Sequence, residues 1–155
     1  MPRLRTATLA ALVAALGAAC EKHDFEPPDR VERVAQADSL FQPAMFDSIA
    51  WPTDETRLTA GNEVFTSECR RCHGTVGEGD TEYARSRDLH PPSLVRADWP
   101  EGDSLHAVRR RVFTGHPEGM PSFGVGSLTA RQIDAVSFYI VNRLRPEFAG
   151  SGATR

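Results

Sequence analysis

The residues most able to do chemistry in this chain are two cysteines and a histidine at positions 69–73, in the order Cys-Arg-Arg-Cys-His. On a helical turn, residues three positions apart share a face, so Cys69 and Cys72 can reach the same edge of one planar group. This run is the attachment sequence of c-type haem, in which each sulfur forms a thioether with the porphyrin and the histidine binds the iron. The sequence therefore predicts one haem c per chain, held covalently by Cys69 and Cys72, with His73 as an axial ligand.

Two other chemistries use a Cys-x-x-Cys pair, namely a structural zinc site and a redox dithiol. A zinc site needs two more ligands nearby, and the third cysteine, Cys20, lies in an N-terminal targeting segment. A thioredoxin-like dithiol needs a βαβ pattern, which the sequence does not show. Haem attachment is therefore the favoured interpretation.

A second stretch, Gly119-Met120-Pro121, offers a ligand for the other side of the iron. Methionine is a common second ligand in electron carriers, and a Gly/Pro-rich loop can present its thioether without helical crowding. A buried packing methionine is the alternative for Met120. His116, in the same loop, is a competing ligand, whereas Met45 lacks the glycine and proline neighbours.

Three amphipathic helices are expected to position these residues. One leads into the cysteines with Thr59 as its cap, and Gly61 and Phe65 share a face, so that another helix is expected to approach closely. A second begins at Asp103, and a third begins with the capping-box pair Thr129 and Gln132. Their apolar faces contain Leu105, Val108, Val112 and Phe113 in the second helix and Ile133, Val136, Ile140 and Leu144 in the third.

An arginine cluster, Arg109 to Arg111, lies within the second of these helices. The simpler interpretation is a solvated helix face. The functional one is that one of the three, or Trp99, donates a hydrogen bond to a haem propionate.

The N-terminal residues 1–19 are predicted to be an export signal, because Arg3 and Arg5 precede an apolar run too short to span a bilayer. The run ends in small residues before Cys20, which resembles a bacterial lipoprotein processing site. In that interpretation Cys20 carries lipid, and simple cleavage after Ala19 is the alternative. We expect the protein to act at the periplasmic side of a bacterial membrane, with Cys20 as its anchor.

Residues 20–55 are expected to form a tether or extension after the signal. Pro27 and Pro28 exclude a regular helix at its start. The part from residue 31 to residue 51 is too apolar for a pure linker, with a short helix expected over 31–41. It either wraps the following domain or docks on a larger membrane complex.

The charge of the chain argues against nucleic-acid binding. The formal net charge is −3, and removing residues 1–19 takes away two arginines and lowers it to −5. Its length of 155 residues allows one modest domain with extensions.

The spacing of Gly61, Phe65, Cys69, Cys72 and His73 resembles the first helix of the small monohaem cytochromes c with His/Met ligation. The resemblance covers roughly residues 57–146. It implies an all-α, cytochrome c-like fold, with about three to five helices packed around a covalent haem and an extended N-terminal segment.

Further residues match the same family and receive roles from the resemblance. Met120 matches its Gly-Met-Pro ligand loop, and Pro92, two before Leu94, matches the proline whose carbonyl accepts a hydrogen bond from the haem histidine. Tyr139 matches the aromatic residue that crosses the Gly61/Phe65 helix. Gly61, Phe65, Tyr139 and, apart from the resemblance, Trp99 are expected to pack around the haem.

The resemblance implies a haem domain at residues 56–147 and a flexible tail at 148–155. With both axial positions filled, the iron has no open site, so we expect one-electron transfer and not catalysis. Redox proteins or a respiratory or photosynthetic membrane complex are the expected partners. The alternative is a haem enzyme or gas-binding protein with an open iron.

Overall fold

The computed structural model describes residues 28–149, and Cys20 and the predicted signal lie outside this range. The described chain is helical and contains no strand, apart from one isolated bridge between His116 and Met120. The all-α, cytochrome c-like fold class predicted from the sequence is therefore confirmed. Among residues 28–149, no helix combines the length and apolar character that a membrane crossing requires.

Seven α-helical segments follow one another along the described chain. They are α1 Arg30–Leu40, α2 Asp54–Val64, α3 Arg70–His73, α4 Glu82–Arg85, α5 Leu105–Thr114, α6 Ala130–Tyr139 and α7 Arg145–Phe148. Short 3₁₀ turns occupy Pro43–Phe46 and Phe123–Val125. Wide π-helical turns at Phe65–Cys69 and Ile140–Leu144 join α2 to α3 and α6 to α7 without a break.

Side-chain oxygens cap five of the seven helix starts, and two of the predicted caps are wrong. Helix α2 begins earlier than predicted, because the Thr53 hydroxyl accepts a hydrogen bond from the backbone N–H of Thr56 at 3.1 Å. Thr59 lies inside that helix and donates instead to the carbonyl of Glu55. Helix α5 is capped by Ser104 and not by Asp103. By contrast, the capping box of Thr129 at the start of α6 is present.

The centre of the fold is the crossing of α2 and α6. A Cβ built on Gly61 would overlap the Ala135 carbonyl oxygen and lie 2.6 Å from the Cβ of Tyr139. Only glycine therefore permits this helix approach, and Phe65 and Tyr139 pack beside it with ring centroids 5.6 Å apart. The predicted apolar face of the last helix is buried, at Ile133, Val136, Ile140 and Leu144.

Residues 30–51 lie against this helical core. Phe46 is buried, and Phe41 packs edge-on against Phe113 of α5 with ring centroids 5.4 Å apart. Asp38 of α1 forms a bidentate ion pair with Arg110. The observed helix Arg30–Leu40 matches the short helix expected over 31–41 within one residue at each end.

A buried carboxylate ties the N-terminal segment to three helices of the core. Asp134 of α6 is 1% exposed. Its two oxygens accept hydrogen bonds from Trp51 Nε1 at 2.7 Å, from Arg57 Nη2 at 2.5 Å and from Arg109 Nη2. Four segments of the chain therefore meet at one charged centre, which no spacing in the sequence indicates.

Candidate functional site

One cavity of about 330 Å³ brings together most of the residues singled out from the sequence. Cavities that hold cofactors commonly measure about 300–1,000 Å³ and are lined largely by apolar side chains. Its lining includes Cys69, Cys72, His73, Pro92, Leu94, Trp99 and Met120. Residues from the α2–α3 helix and from the loop before α6 therefore face the same space.

The two cysteines are free thiols at the end of the π-helical turn and in α3. Burial raises the pKa of Cys69 to about 12, with smaller contributions from Glu68 and Cys72. Burial also raises the pKa of Cys72, against the opposing effect of Arg71 and Arg87. Reactive redox dithiols have lowered pKa values, so this environment does not favour the dithiol alternative.

The His73 ring is buried and oriented by a backbone carbonyl. Its Nδ1 lies 3.3 Å from the carbonyl oxygen of Pro92, the ring's one hydrogen bond within the described chain. Burial lowers the pKa of His73, and the Pro92 contact offsets part of that effect. A carbonyl can only accept, so Nδ1 carries the proton and Nε2 keeps its lone pair for a metal ligand bond.

The loop that carries Met120 is a tight, backbone-bonded turn. The backbone N–H of His116 donates to the Met120 carbonyl at 3.0 Å, and that of Gly119 donates to the His116 carbonyl at 3.0 Å. Gly115 enters the turn with φ +77°, and a Cβ there would lie 2.5 Å from the Met120 carbonyl oxygen. The turn fixes Met120 at the cavity wall.

The three side chains predicted to compete as the second iron ligand differ in their position. His116 also lines the cavity, and its Nδ1 accepts a hydrogen bond from the backbone N–H of Glu118 at 3.3 Å. Met45 packs against the hydrophobic core and is not part of the cavity lining. The geometry leaves Met120 and His116 as candidates and places Met45 elsewhere.

Gly61, Phe65 and Tyr139 do not line the cavity, contrary to the expectation that they pack around the haem. They form the α2–α6 crossing, and Phe65 belongs to the same π-helical turn as Cys69. These three residues therefore pack behind the cavity wall and support it from outside.

Each arginine of the 109–111 cluster has its own carboxylate, so a simple solvated face describes only Arg110. Arg109 binds Asp134, and Arg110 binds Asp38. Arg111 binds Glu101 and is the one member of the cluster that lines the cavity.

Sequence reasoning missed two residues that shape the cavity wall. Glu101, the partner of Arg111, lines the cavity, and no local spacing relates it to that arginine. Arg145 donates to the Leu94 carbonyl at 2.5 Å and stacks over the Trp99 ring at 5.3 Å. In the sequence, the position of Arg145 near a helix C-terminus indicates only a favourable interaction with the last helical turn.

Comparison with known proteins adds to this geometry. The model of a family described as cytochrome c oxidase, cbb3-type, subunit III, matches residues 56–140. Two proteins from Rhodobacter capsulatus, each named cbb3-type cytochrome c oxidase subunit CcoP, are 29% and 27% identical to this chain over 117 residues. Each alignment covers 66% of this chain but only 37% of the relative. No solved structure matches the chain significantly.

The matched region contains the cysteine–histidine run, the Met120 loop and helix α6. It also contains every cavity residue described above. The chain therefore belongs to the cytochrome c family described as cbb3-type cytochrome c oxidase subunit III, a family whose domain implies haem c.

Proposed function

We propose that this protein transfers single electrons through one haem c, attached to Cys69 and Cys72 and ligated by His73 and Met120. The observation that carries the proposal is the shared cavity, which collects two thiols, an oriented neutral imidazole and a thioether. Such a donor set suits a c-type haem in an electron carrier.

The residues present fit this cofactor. The cavity lining is mostly apolar, and both thiols are protonated at neutral pH. When bound, the haem supplies a one-electron iron couple, and a methionine ligand raises its reduction potential. The protein's own part is to hold the ring, to orient His73 through the Pro92 carbonyl and to restrict water at the cavity.

The single attachment run in this sequence supports one haem. The run Cys-x-x-Cys-His occurs once, and the third cysteine of the chain is Cys20. Both cysteines near the cavity are therefore used by a single group.

We also propose that the protein delivers electrons within a respiratory or photosynthetic membrane complex. The relatives are named as subunits of a cbb3-type cytochrome c oxidase, which supports a role as an electron-carrying subunit. The signal at residues 1–19 and the lipid at Cys20 would place it at the periplasmic side of the membrane. Copurification of complex subunits after mild detergent extraction tests this association, and an unaccompanied protein would favour a free shuttle.

The covalent attachment is tested by haem staining after denaturing electrophoresis. The purified protein should retain the stain, and a variant with both Cys69→Ser and Cys72→Ser should lose it, because no thioether can form. A stain that survives in the double variant contradicts the proposal.

The second iron ligand is tested by the weak sulfur-to-iron absorption of the oxidised protein at the red end of the visible spectrum. Met120→Ala should abolish this band, whereas Met45→Ala and His116→Gln should leave it intact. A band absent from the unmodified protein, together with carbon monoxide binding to the reduced form, would favour the haem enzyme or gas-binding alternative.

A further inference from the structure

An ion pair forms part of the cavity wall. Arg111 Nη2 donates to Glu101 Oε1 at 2.6 Å and Arg111 Nε donates to the same oxygen at 3.1 Å. Both residues line the cavity. Among the residues that the structure describes, this is the one pair of an arginine and a carboxylate with both members at the cavity.

The pair joins two walls of the cavity. Glu101 lies in the turn that follows Trp99, and Arg111 lies in the last turn of α5. Arg111 Nη1 also reaches the carbonyl of Gly115 at 3.4 Å, where the Met120 loop begins. The guanidinium therefore bridges the Trp99 side of the cavity and the ligand loop.

The pair is partly shielded from solvent. The side chains of Arg111 and Glu101 are 35% and 21% exposed. Two other carboxylates at the cavity, Glu68 and Glu118, belong to exposed residues, where water and salt screen their charges. Arg111 and Glu101 thus contribute the least screened opposite charges at this site.

We propose that Glu101 and Arg111, paired at the cavity wall, keep each other's charge from shifting the electron affinity of the haem. The inference rests on the proposed electron-transfer function. Reduction adds one negative charge at the iron, and nearby fixed charges bias that step through weakly screened electrostatics. Together the two charges nearly cancel, whereas either charge alone shifts the reduction potential without that cancellation.

The sign of each effect follows from the charge left behind. Arg111→Gln leaves the Glu101 carboxylate uncompensated, which favours the oxidised iron and lowers the reduction potential. Glu101→Gln leaves the Arg111 cation uncompensated, which favours the reduced iron and raises the potential. At a fixed applied potential, each change should alter the ratio of reduced to oxidised protein by roughly threefold or more.

The experiment is a potentiometric titration of the purified holoprotein, followed through its visible spectrum. The variants are Glu101→Gln, Arg111→Gln and the double variant, which should return close to the unmodified potential. Arg111→Lys keeps the charge and should stay close to it as well. Arg110→Gln is the matched control, because Arg110 is the next residue on the same helix but does not line the cavity, and its potential should not move.

A substitution that loosens the Met120 loop could also shift the reduction potential, but it would weaken the sulfur-to-iron band. This band is therefore recorded for every variant. Potentials that shift in the same direction for Glu101→Gln and Arg111→Gln, or that do not shift, overturn the inference while leaving the electron carrier in place. The same holds if Arg111→Lys lowers the potential as much as Arg111→Gln. Should Arg111→Gln lose the band, Glu101→Gln decides alone, and an unchanged potential there overturns the inference. Absence of covalent haem from the unmodified protein would overturn the proposed function itself.

Discussion

Asp134→Asn is expected to be one of the most destabilising single changes outside the cavity. The substitution keeps the shape of the side chain but removes the charge that faces Arg57 and Arg109. The two arginine side chains are only 14% and 21% exposed. Their Nε atoms are buried without a hydrogen-bond partner within the described chain, so neither cation can easily regain water.

The magnitude follows from this burial. Removing one member of a buried ion pair costs about 3–5 kcal/mol, because it leaves an uncompensated charge in a poorly solvated place. An asparagine oxygen can still accept from Trp51 or from one arginine, which favours the lower end of that range. We expect a loss of about 3 kcal/mol in the free energy of unfolding, a large fraction of the ~5–15 kcal/mol typical of a domain.

Urea denaturation of the holoprotein, followed by far-ultraviolet circular dichroism, measures this loss. The matched control is Asp38→Asn, which breaks a bidentate pair with Arg110 of the same chemistry on the surface. The Arg110 hydrogen bond lowers the pKa of Asp38, so its contribution to stability is present at neutral pH and is lost as acid protonates the carboxyl. We expect a much smaller effect from the control, because water and salt screen an exposed pair.

Two outcomes would refute the reasoning. One is an equal loss of stability in Asp134→Asn and Asp38→Asn. The other is a loss at Asp134 that disappears in about 1 M salt, where charges are screened within about 3 Å; that result would show that the site is open to solvent.

Three further predictions concern the ligand, the helix crossing and the anchor. Met120→Ala should lower the reduction potential and let the reduced iron bind carbon monoxide; an unchanged potential would contradict the ligand assignment. Gly61→Ala should reduce the free energy of unfolding by about 1–3 kcal/mol because of overpacking against Ala135, despite a helix-propensity gain of about 1 kcal/mol. The control is Asn62→Ala at the exposed neighbouring position, which should cause no loss of stability. The mature protein should begin at Cys20, and its intact mass should include added acyl chains. A mass without them would indicate simple secretion.

The sequence predicted those parts of the protein that depend on local spacing. The order of Cys69, Cys72 and His73 carries its chemistry within one helical turn, where neighbours three and four residues apart always meet. The capping box at Thr129 and the apolar face of the last helix follow the same short-range geometry. Gly61 predicted a close helix approach because only a missing Cβ allows one.

Helix starts were less predictable than helix faces. Thr53 and Thr59 are both good caps, and so are Asp103 and Ser104. Which member of each pair caps the helix depends on where the chain turns against the rest of the fold, and local preference does not decide this. The early start of α2 adds Arg57 to that helix, where it reaches Asp134.

The partners of the charged residues were decided by tertiary structure alone. Arg109, Arg110 and Arg111 are adjacent in sequence, yet helix geometry points them to three separate carboxylates. Those carboxylates lie 25, 72 and 10 residues away along the chain. No periodicity relates positions so unevenly spaced, so the sequence determined which chemistry the site contains, and only the packing of helices determined which charges face it.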